Sequence, residues 1–579
     1  MIEDRHMKIS RFIVPFFLIL FSCDFKKDNI KVLHLGITKG ISSIDPAKAF
    51  DGKSLKIISQ SYETPYEYHY LQRPYKLIPL LCEGDPEWLN GGKTLKLKIK
   101  RGIFFHDHPA FKGIKRVLKA QDFITQIKRI AFGPTKSPGY SLLAGSISGL
   151  EEFSQKVGDN FQLFKELSIE GLHAPDDYTL LIDLKKRVSN FPFYLTLNFF
   201  SPIPIEVVDF GHNDLEDHMV GTGPFYLFEG PKTNVITLRK FSGYREVVYP
   251  QEGDRTAVME KLLEYGLKSM PFLDEIQFHV LESDRELLES FIDKKLDILE
   301  DFPVIKLVDI LDQNGNLKKE LQEKGILLKR YEGLTNSWFA MNMRDPLFSK
   351  NKNLRWAIAH AIDTKRYNQV IRRNISLEAN SVLTPGIPGY DPSHELPFNY
   401  DLKMAKYYLK EAGYPKGKGL PTLVYSTRTK EDTSLREAEY FKHQLEQIGI
   451  KLEIRPLEFP EFLRKGRNGE LQLFSDNWIY DYPDPLNILQ LLVSKNFPGI
   501  NKTGFSNKKL DEIFEGLEEM SNDKKRKEGL LKIEKIFDQE IPWIMLSYGR
   551  SMVLLHENVR NYRKSDLIKN YFKYIDLKP

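Results

Sequence analysis

Hydrophobic and polar positions alternate in some stretches of this chain and recur with helical spacing in others. Val32 to Ile37 (VLHLGI) has the period of two expected of a strand. Thr94 to Lys100 (TLKLKIK) alternates more cleanly, with Leu95, Leu97 and Ile99 on one face and lysines on the other. Asn234 to Lys240 (NVITLRK) is similar. From Asn353 to Ile362 the period changes. Leu354, Ala357, Ile358, Ala361 and Ile362 form one apolar stripe of a helix. Asp363 is placed to cap a following helix that buries Tyr367, Val370 and Ile371.

Residues 400–455 give the clearest topological signal. Asp401 caps a helix carrying Met404, Ala405, Tyr408 and Leu409, which Gly413 and Pro415 end. Thr422 to Tyr425 reads as a strand, and Ser434 to Ile448 as a helix with Leu435, Ala438, Phe441, Leu445 and Ile448 inward. Gly449 closes it, and Ile450, Leu452 and Ile454 alternate as a second strand. A strand–helix–strand unit implies a parallel pair, so the fold class is α/β.

The N-terminus has a different pattern. Lys8 and Arg11 precede an apolar run from Phe12 to Phe21, too short to span a bilayer but the length of a secretory h-region. The run ends in Leu20-Phe21-Ser22-Cys23, which resembles a lipobox with Cys23 as the lipidated residue. The expectation is a signal peptide at 1–22, a lipid anchor and tether at 23–29, and a body outside the cytoplasm, which disfavours ATP-dependent and nicotinamide chemistry.

Composition narrows the class. Lys+Arg 84 against Asp+Glu 79 gives a net charge of only +5 over 579 residues, with no long basic block, so nothing points to nucleic acid. Hydrophobic residues at 41% and charged at 28% exclude a multi-span membrane protein and a wholly disordered chain. Aromatics, 12% of the chain, suit either a ring-lined binder or a large core. Two cysteines, Cys23 and Cys82, exclude a disulfide-stapled fold, and a lipidated Cys23 leaves Cys82 as the free thiol.

Catalytic motifs are missing. Gly145 to Gly149 (GSISG) has the wrong centre for a nucleophile elbow, and Gly221-Thr222-Gly223 lacks the rest of a phosphate loop. His106-Asp107-His108 and the loop holding His212 and His218 read as structural or solvated rather than metal-binding. No cofactor or metal is expected.

Several segments together resemble the family 5 extracellular solute-binding proteins, the large receptors of peptide ABC importers. They are Ser43 to Pro46 (SIDP), Lys100 to Asp107 (KRGIFFHD), Ala120 to Phe123 (AQDF), Val220 to Tyr226 (VGTGPFY) with Ile236 to Tyr244, Asn342 to Asp363, Asp401 to Tyr414, Trp478 to Leu486 (WIYDYPDPL) and Ile541 to Trp543. They run in family order along nearly the whole body. His108 stands where a glycine is usual, and an insertion (PAFKGIKR) follows it. Lys295 to Ile298 lacks a usual glycine.

The resemblance implies a two-lobed periplasmic-binding-protein-like fold (type II, the large cluster with an extra domain) hinged between its lobes. Lobe one would comprise 30–62, 193–334 and 549–579, the extra domain 63–192, and lobe two 335–548. It implies a monomeric receptor that captures a peptide and hands it to an inner-membrane permease with its ATPase subunits. The matched aspartate, Asp481, would pair with the peptide's α-ammonium, since a cation stripped of water needs a carboxylate. Asn477, Trp478 and Ile479 on one side, and Phe50, Asp51 and Gly52 on lobe one, would hold the peptide main chain in strand fashion. Tyr482 and Tyr548 are further pocket candidates. Asp484 is expected to be structural, and Arg355 to form a surface ion pair. The same fold with a nickel chelate, haem, sugar or opine is the alternative. An envelope peptidase or a sensory lipoprotein are lesser ones.

Overall fold

The structure, a computed structural model, describes residues 30–230, 232–300, 307–312, 315–520 and 524–578. The expected signal peptide, Cys23 and the tether lie outside the described residues.

One mixed sheet organises the body. Its strands are β1 (Val32–Thr38), β2 (Phe225–Glu229), β3 (Val235–Lys240), β4 (Glu275–Leu281), β5 (Ile298–Leu299), β6 (Ile326–Met341), β7 (Leu377–Glu378), β8 (Leu423–Thr427), β9 (Leu452–Pro456), β10 (Leu473–Ile479) and β11 (Trp543–His556). The order is β9-β8-β10-β6-β11-β5-β1-β4-β3-β2, with β7 pairing β11. β1 and β4 are parallel, as are β8 and β9, so the strand–helix–strand reading of 422–454 holds. A separate four-stranded antiparallel sheet is built from Glu87–Leu89, Thr94–Lys98, Thr179–Asp183 and Leu172–Asp176.

Apolar side chains gather into two large cores. One draws on Leu33 to Phe278 and returns at Val553 to Ile575. The other is drawn from Leu334 to Leu546. The long strands β6 and β11 join the two. Their ladder is regular from Ile326↔His556 to Glu332↔Arg550, breaks, and resumes at Asn336↔Tyr548. A second shift follows between Ser337 and Trp338. Irregular pairing of this kind bends and twists a ribbon locally, and here it falls where one core gives way to the other.

The family-like motifs prove to be joints. Asp45 of SIDP and Arg129 are both 0% exposed and form a bidentate pair at 2.9 and 2.6 Å. His106 is buried and neutral; burial pushes its imidazole down to about 4. Its Nδ1 accepts from the Gly221 N–H (3.3 Å) and its Nε2 donates to the Gly223 carbonyl (2.9 Å). A Cβ on Gly221 would stand 1.9 Å from the Ser61 oxygen, so only glycine lets the two segments close. The histidine and glycine motifs thus lock the chain at residues 60–63, which leads directly into the cleft.

Four local expectations are corrected. Val370 is exposed and Ile371 only half-buried, because that end of the helix Thr364–Val370 borders a cavity. Met404 is exposed. The strand expected to begin at Ile450 begins at Leu452, since the Ile450 N–H is still bonded to the Leu445 carbonyl (3.1 Å) and closes the preceding helix. Arg355 is buried rather than on the surface. It donates to the Glu540 and Phe348 carbonyls (2.8 and 2.5 Å) and to the Glu540 carboxylate (2.9 Å), stitching its helix to the end of Lys524–Glu540.

Cys82 is fully buried, and burial pushes its thiol up to about 12. A thiol kept protonated and inaccessible is a poor nucleophile. Cys82 should therefore stay unmodified by iodoacetamide in the native protein and react once it is denatured, as read by mass spectrometry of its peptide.

Candidate functional site

Two cavities flank the end of β10, the strand that leads into Tyr480-Asp481-Tyr482. The first, about 200 Å³, lies between the cores. One wall carries Leu55, Ile58, Glu63, Glu67 and Ser201; the other is Ile479, Tyr480 and Asp481; Asp566 and Lys569 complete it. The second, about 580 Å³, is lined by Arg372, Arg373, Arg428 and Arg436 together with Glu437 and Asn477.

Asp481 has no ion-pair partner among the described residues. Its backbone N–H donates to Asn487 Oδ1 (3.2 Å), and Asn487 Nδ2 donates to its carboxylate (3.3 Å). The same Asn487 oxygen accepts from Trp478 Nε1 (2.7 Å), so one buried amide fixes tryptophan and aspartate together. Burial pushes the Asp481 carboxyl above its ordinary value, opposed by the Asn487 hydrogen bond. The residue is nevertheless exposed toward the cleft.

The other carboxylates of this cavity differ. Glu63 receives Arg245 at 2.7 and 2.9 Å. Burial alone would raise it, but Arg245, Lys573 and the Thr222 hydroxyl hold it below the usual carboxylate range. Glu67 is paired with Lys573 (2.8 Å) and accepts from Asn570 (2.6 Å). Asp566 meets no cation among the described residues; its Oδ2 accepts the Leu334 N–H (2.7 Å), inside the break in the β6–β11 ladder.

β10 is open on one side. It pairs with β6 from Leu473 to Ile479, but β8 pairs only with Leu473 and Phe474. From Ser475 to Ile479 one backbone edge has no strand against it among the described residues. Ile479 is 57% exposed beside that edge. An extended main chain could add there as a further strand. Asn477 accepts from Arg428 at the rim of the second cavity. Within it, Glu437 is half-buried and accepts from Tyr367 (2.6 Å), and desolvation holds its carboxyl up. Asp476 is taken by Lys502 (2.6 Å). The guanidinium groups therefore dominate what a ligand would meet.

The structure brings Asn477, Trp478, Ile479 and Asp481 together on one strand end. Of these, Trp478 lines neither cavity but packs against the second core, and the other candidates do not reach either cavity. Asp51 is the N-cap of the helix Gly52–Ile58, accepting from Lys53 and Ser54 N–H groups (3.0 Å each). Phe50 is 67% exposed, and Gly52 is that helix's first residue. The helix reaches the cavity one turn later, through Leu55 and Ile58. Tyr482 is packed in the first core, stacked on Phe193 (6.1 Å) and bonded by Asn190 (3.1 Å). Tyr548 is buried, its hydroxyl accepting the Ser381 N–H (2.8 Å). Asp484 is buried against Arg526 (2.8 and 2.9 Å). Asn487, Asp566, Glu63 and Arg428 are the residues that sequence reasoning missed. Among the described residues no group of three or more histidine, cysteine or acidic side chains is arranged to hold a metal ion, and no helix is long and apolar enough to cross a membrane.

Comparison with known proteins gives a consistent picture. Residues 76–499 match the sequence profile of the bacterial extracellular solute-binding proteins, family 5. The chain is 22% identical over 510 residues to the dipeptide-binding protein of Escherichia coli K12, covering 87% of this chain and 86% of that one. It is 24% identical over 528 residues to haem-binding protein A of Haemophilus influenzae, covering 90% and 87%. Its fold matches that of the periplasmic binding protein DppA from Helicobacter pylori, solved with the peptide STSA. The TM-score is 0.69 at 23% identity, over 95% of this chain and 98% of that one.

Proposed function

This chain belongs to the family 5 bacterial extracellular solute-binding proteins, and from that premise we propose that it captures peptides between its two lobes for an ABC importer. The observation that carries the reading is Asp481, a carboxylate with no ion-pair partner among the described residues, standing beside the one-sided edge of β10. A free peptide is a zwitterion with an extended main chain. Asp481 takes its ammonium and Ser475 to Ile479 bond its backbone. The arginines of the larger cavity, Arg428 foremost, take its carboxylate. Main-chain bonding serves many sequences alike, which suits a nutrient receptor.

The chain crosses between lobes near residues 335 and 548, where the β6–β11 ladder is irregular. Ligand contacts made from both sides would then favour the closed state. The lipobox-like Ser22-Cys23 supports an envelope lipoprotein tethered near its permease.

Native mass spectrometry followed by denaturation tests the cargo. Released peptides are expected; a released haem, nickel chelate, sugar or opine alone would overturn the peptide assignment and keep the fold. The carboxylate assignment has its own test. Arg428→Ala should weaken a free-acid peptide about tenfold or more and leave its C-terminally amidated analogue unaffected, as read by calorimetry.

A further inference from the structure

Four carboxylates line the cavity between the lobes: Glu63, Glu67, Asp481 and Asp566. Two are already neutralised, Glu63 by Arg245 and Glu67 by Lys573. Two have no ion-pair partner among the described residues, and these come from opposite sides: Asp481 follows β10, and Asp566 lies in the C-terminal return to the first core. A single α-ammonium accounts for one of them. The cavity also presents a polar group that the protein does not use. Ser201 is 1% exposed and lines the cavity, and its hydroxyl has no hydrogen-bond partner among the described residues. Buried hydroxyls are nearly always satisfied, so this one is an unspent polar group in the cavity wall.

Resting on the peptide reading above, we propose that Asp566 is a specificity residue, and that the preferred cargo carries a basic side chain, lysine or arginine, on its first residue. Asp481 holds the α-ammonium and Asp566 the side-chain cation. Leu55 and Ile58 supply an apolar wall for the side chain's methylenes. The charged end then meets the lobe opposite Asp481. Asp566 also accepts the Leu334 N–H within the broken ladder. A cation on its free oxygen would therefore sit one hydrogen bond from the strand crossing.

The test compares Lys-Ala-Ala with norleucine-Ala-Ala by calorimetry on the purified protein. Norleucine has lysine's chain without its charge. The wild type should bind the lysine peptide about tenfold or more tightly. Asp566→Asn keeps an oxygen for Leu334 and removes the charge; it should abolish that preference and leave the norleucine peptide's affinity unchanged. Equal binding of the two peptides by the wild type overturns the inference and leaves the peptide reading standing. So does an Asp566→Asn variant that loses affinity for both alike, which would make Asp566 a second clamp on the α-ammonium. Binding of neither peptide overturns the peptide reading, and the inference with it.

Discussion

Asp481→Ala should lower peptide affinity by roughly 30- to 3,000-fold, the equivalent of removing one partner of an enclosed charge pair. The magnitude follows from the enclosure. An ammonium drawn into the cavity loses water, and nothing else on the second lobe's wall offers it a negative charge: Ile479 and Tyr480 are its neighbours there. Asp481→Asn isolates charge from shape, since an amide can still meet Asn487. It should lose most of the same affinity. Acetylating the peptide's N-terminus should cost wild type a comparable factor and cost Asp481→Asn little more. This double cycle assigns the interaction to the pair. Acid should act in the same direction. Desolvation by the surrounding protein holds the Asp481 carboxyl above its ordinary value. Wild-type affinity is therefore complete at neutral pH and falls as pH drops through that raised value, while the Asp481→Asn variant stays flat. Equal affinities for the free and acetylated peptides would remove Asp481 as the anchor.

The strand end that carries the proposed site was legible because it is local. The aspartate, its tryptophan and the strand before them lie within a few residues, and alternation marked the strands of both halves. The parallel pair β8–β9 was legible for the same reason, since helix closure at Gly449 and apolar alternation are short-range signals. What escaped depends on distant chain. Asp566 reaches the cleft through a bond to Leu334, 232 residues away. Arg355 looked like a surface charge because its partner Glu540 is 185 residues on, and three hydrogen bonds make its burial tolerable. Asn487 is only six residues from Asp481, yet a turn rich in proline and aspartate gives no hint that one amide serves both Trp478 and Asp481. Asp51 is a further case: its side chain caps the helix Gly52–Ile58 through the Lys53 and Ser54 N–H groups, a role that a turn residue beside an exposed phenylalanine does not announce.

Arg129→Ala should destabilise the protein by about 3–5 kcal/mol, because it leaves Asp45 as an unpaired charge with no access to water. Both side chains are 0% exposed. Arg129 also bonds Asn213 Oδ1 (2.8 Å) and Gln126 Oε1 (3.1 Å), so its loss strips partners from three polar groups at once. Asp45→Ala should be similarly severe, and replacing both by apolar residues of like volume should recover part of the loss. Urea unfolding followed by fluorescence distinguishes these outcomes; a single variant within about 1 kcal/mol of wild type would show the pair to be energetically idle. The damage should also reach the cleft. Asp45 accepts the Ala47 N–H (2.9 Å), and the turn it shapes is gripped by Asn198 through the Pro46 and Ala49 carbonyls (2.7 and 2.9 Å). Asn198 lines the cavity that holds Asp481. Loosening Asp45 frees that turn and, with it, part of the wall facing the second lobe. Peptide affinity should therefore fall in the Arg129 variant even at temperatures where it remains folded, although neither Arg129 nor Asp45 lines the cavity.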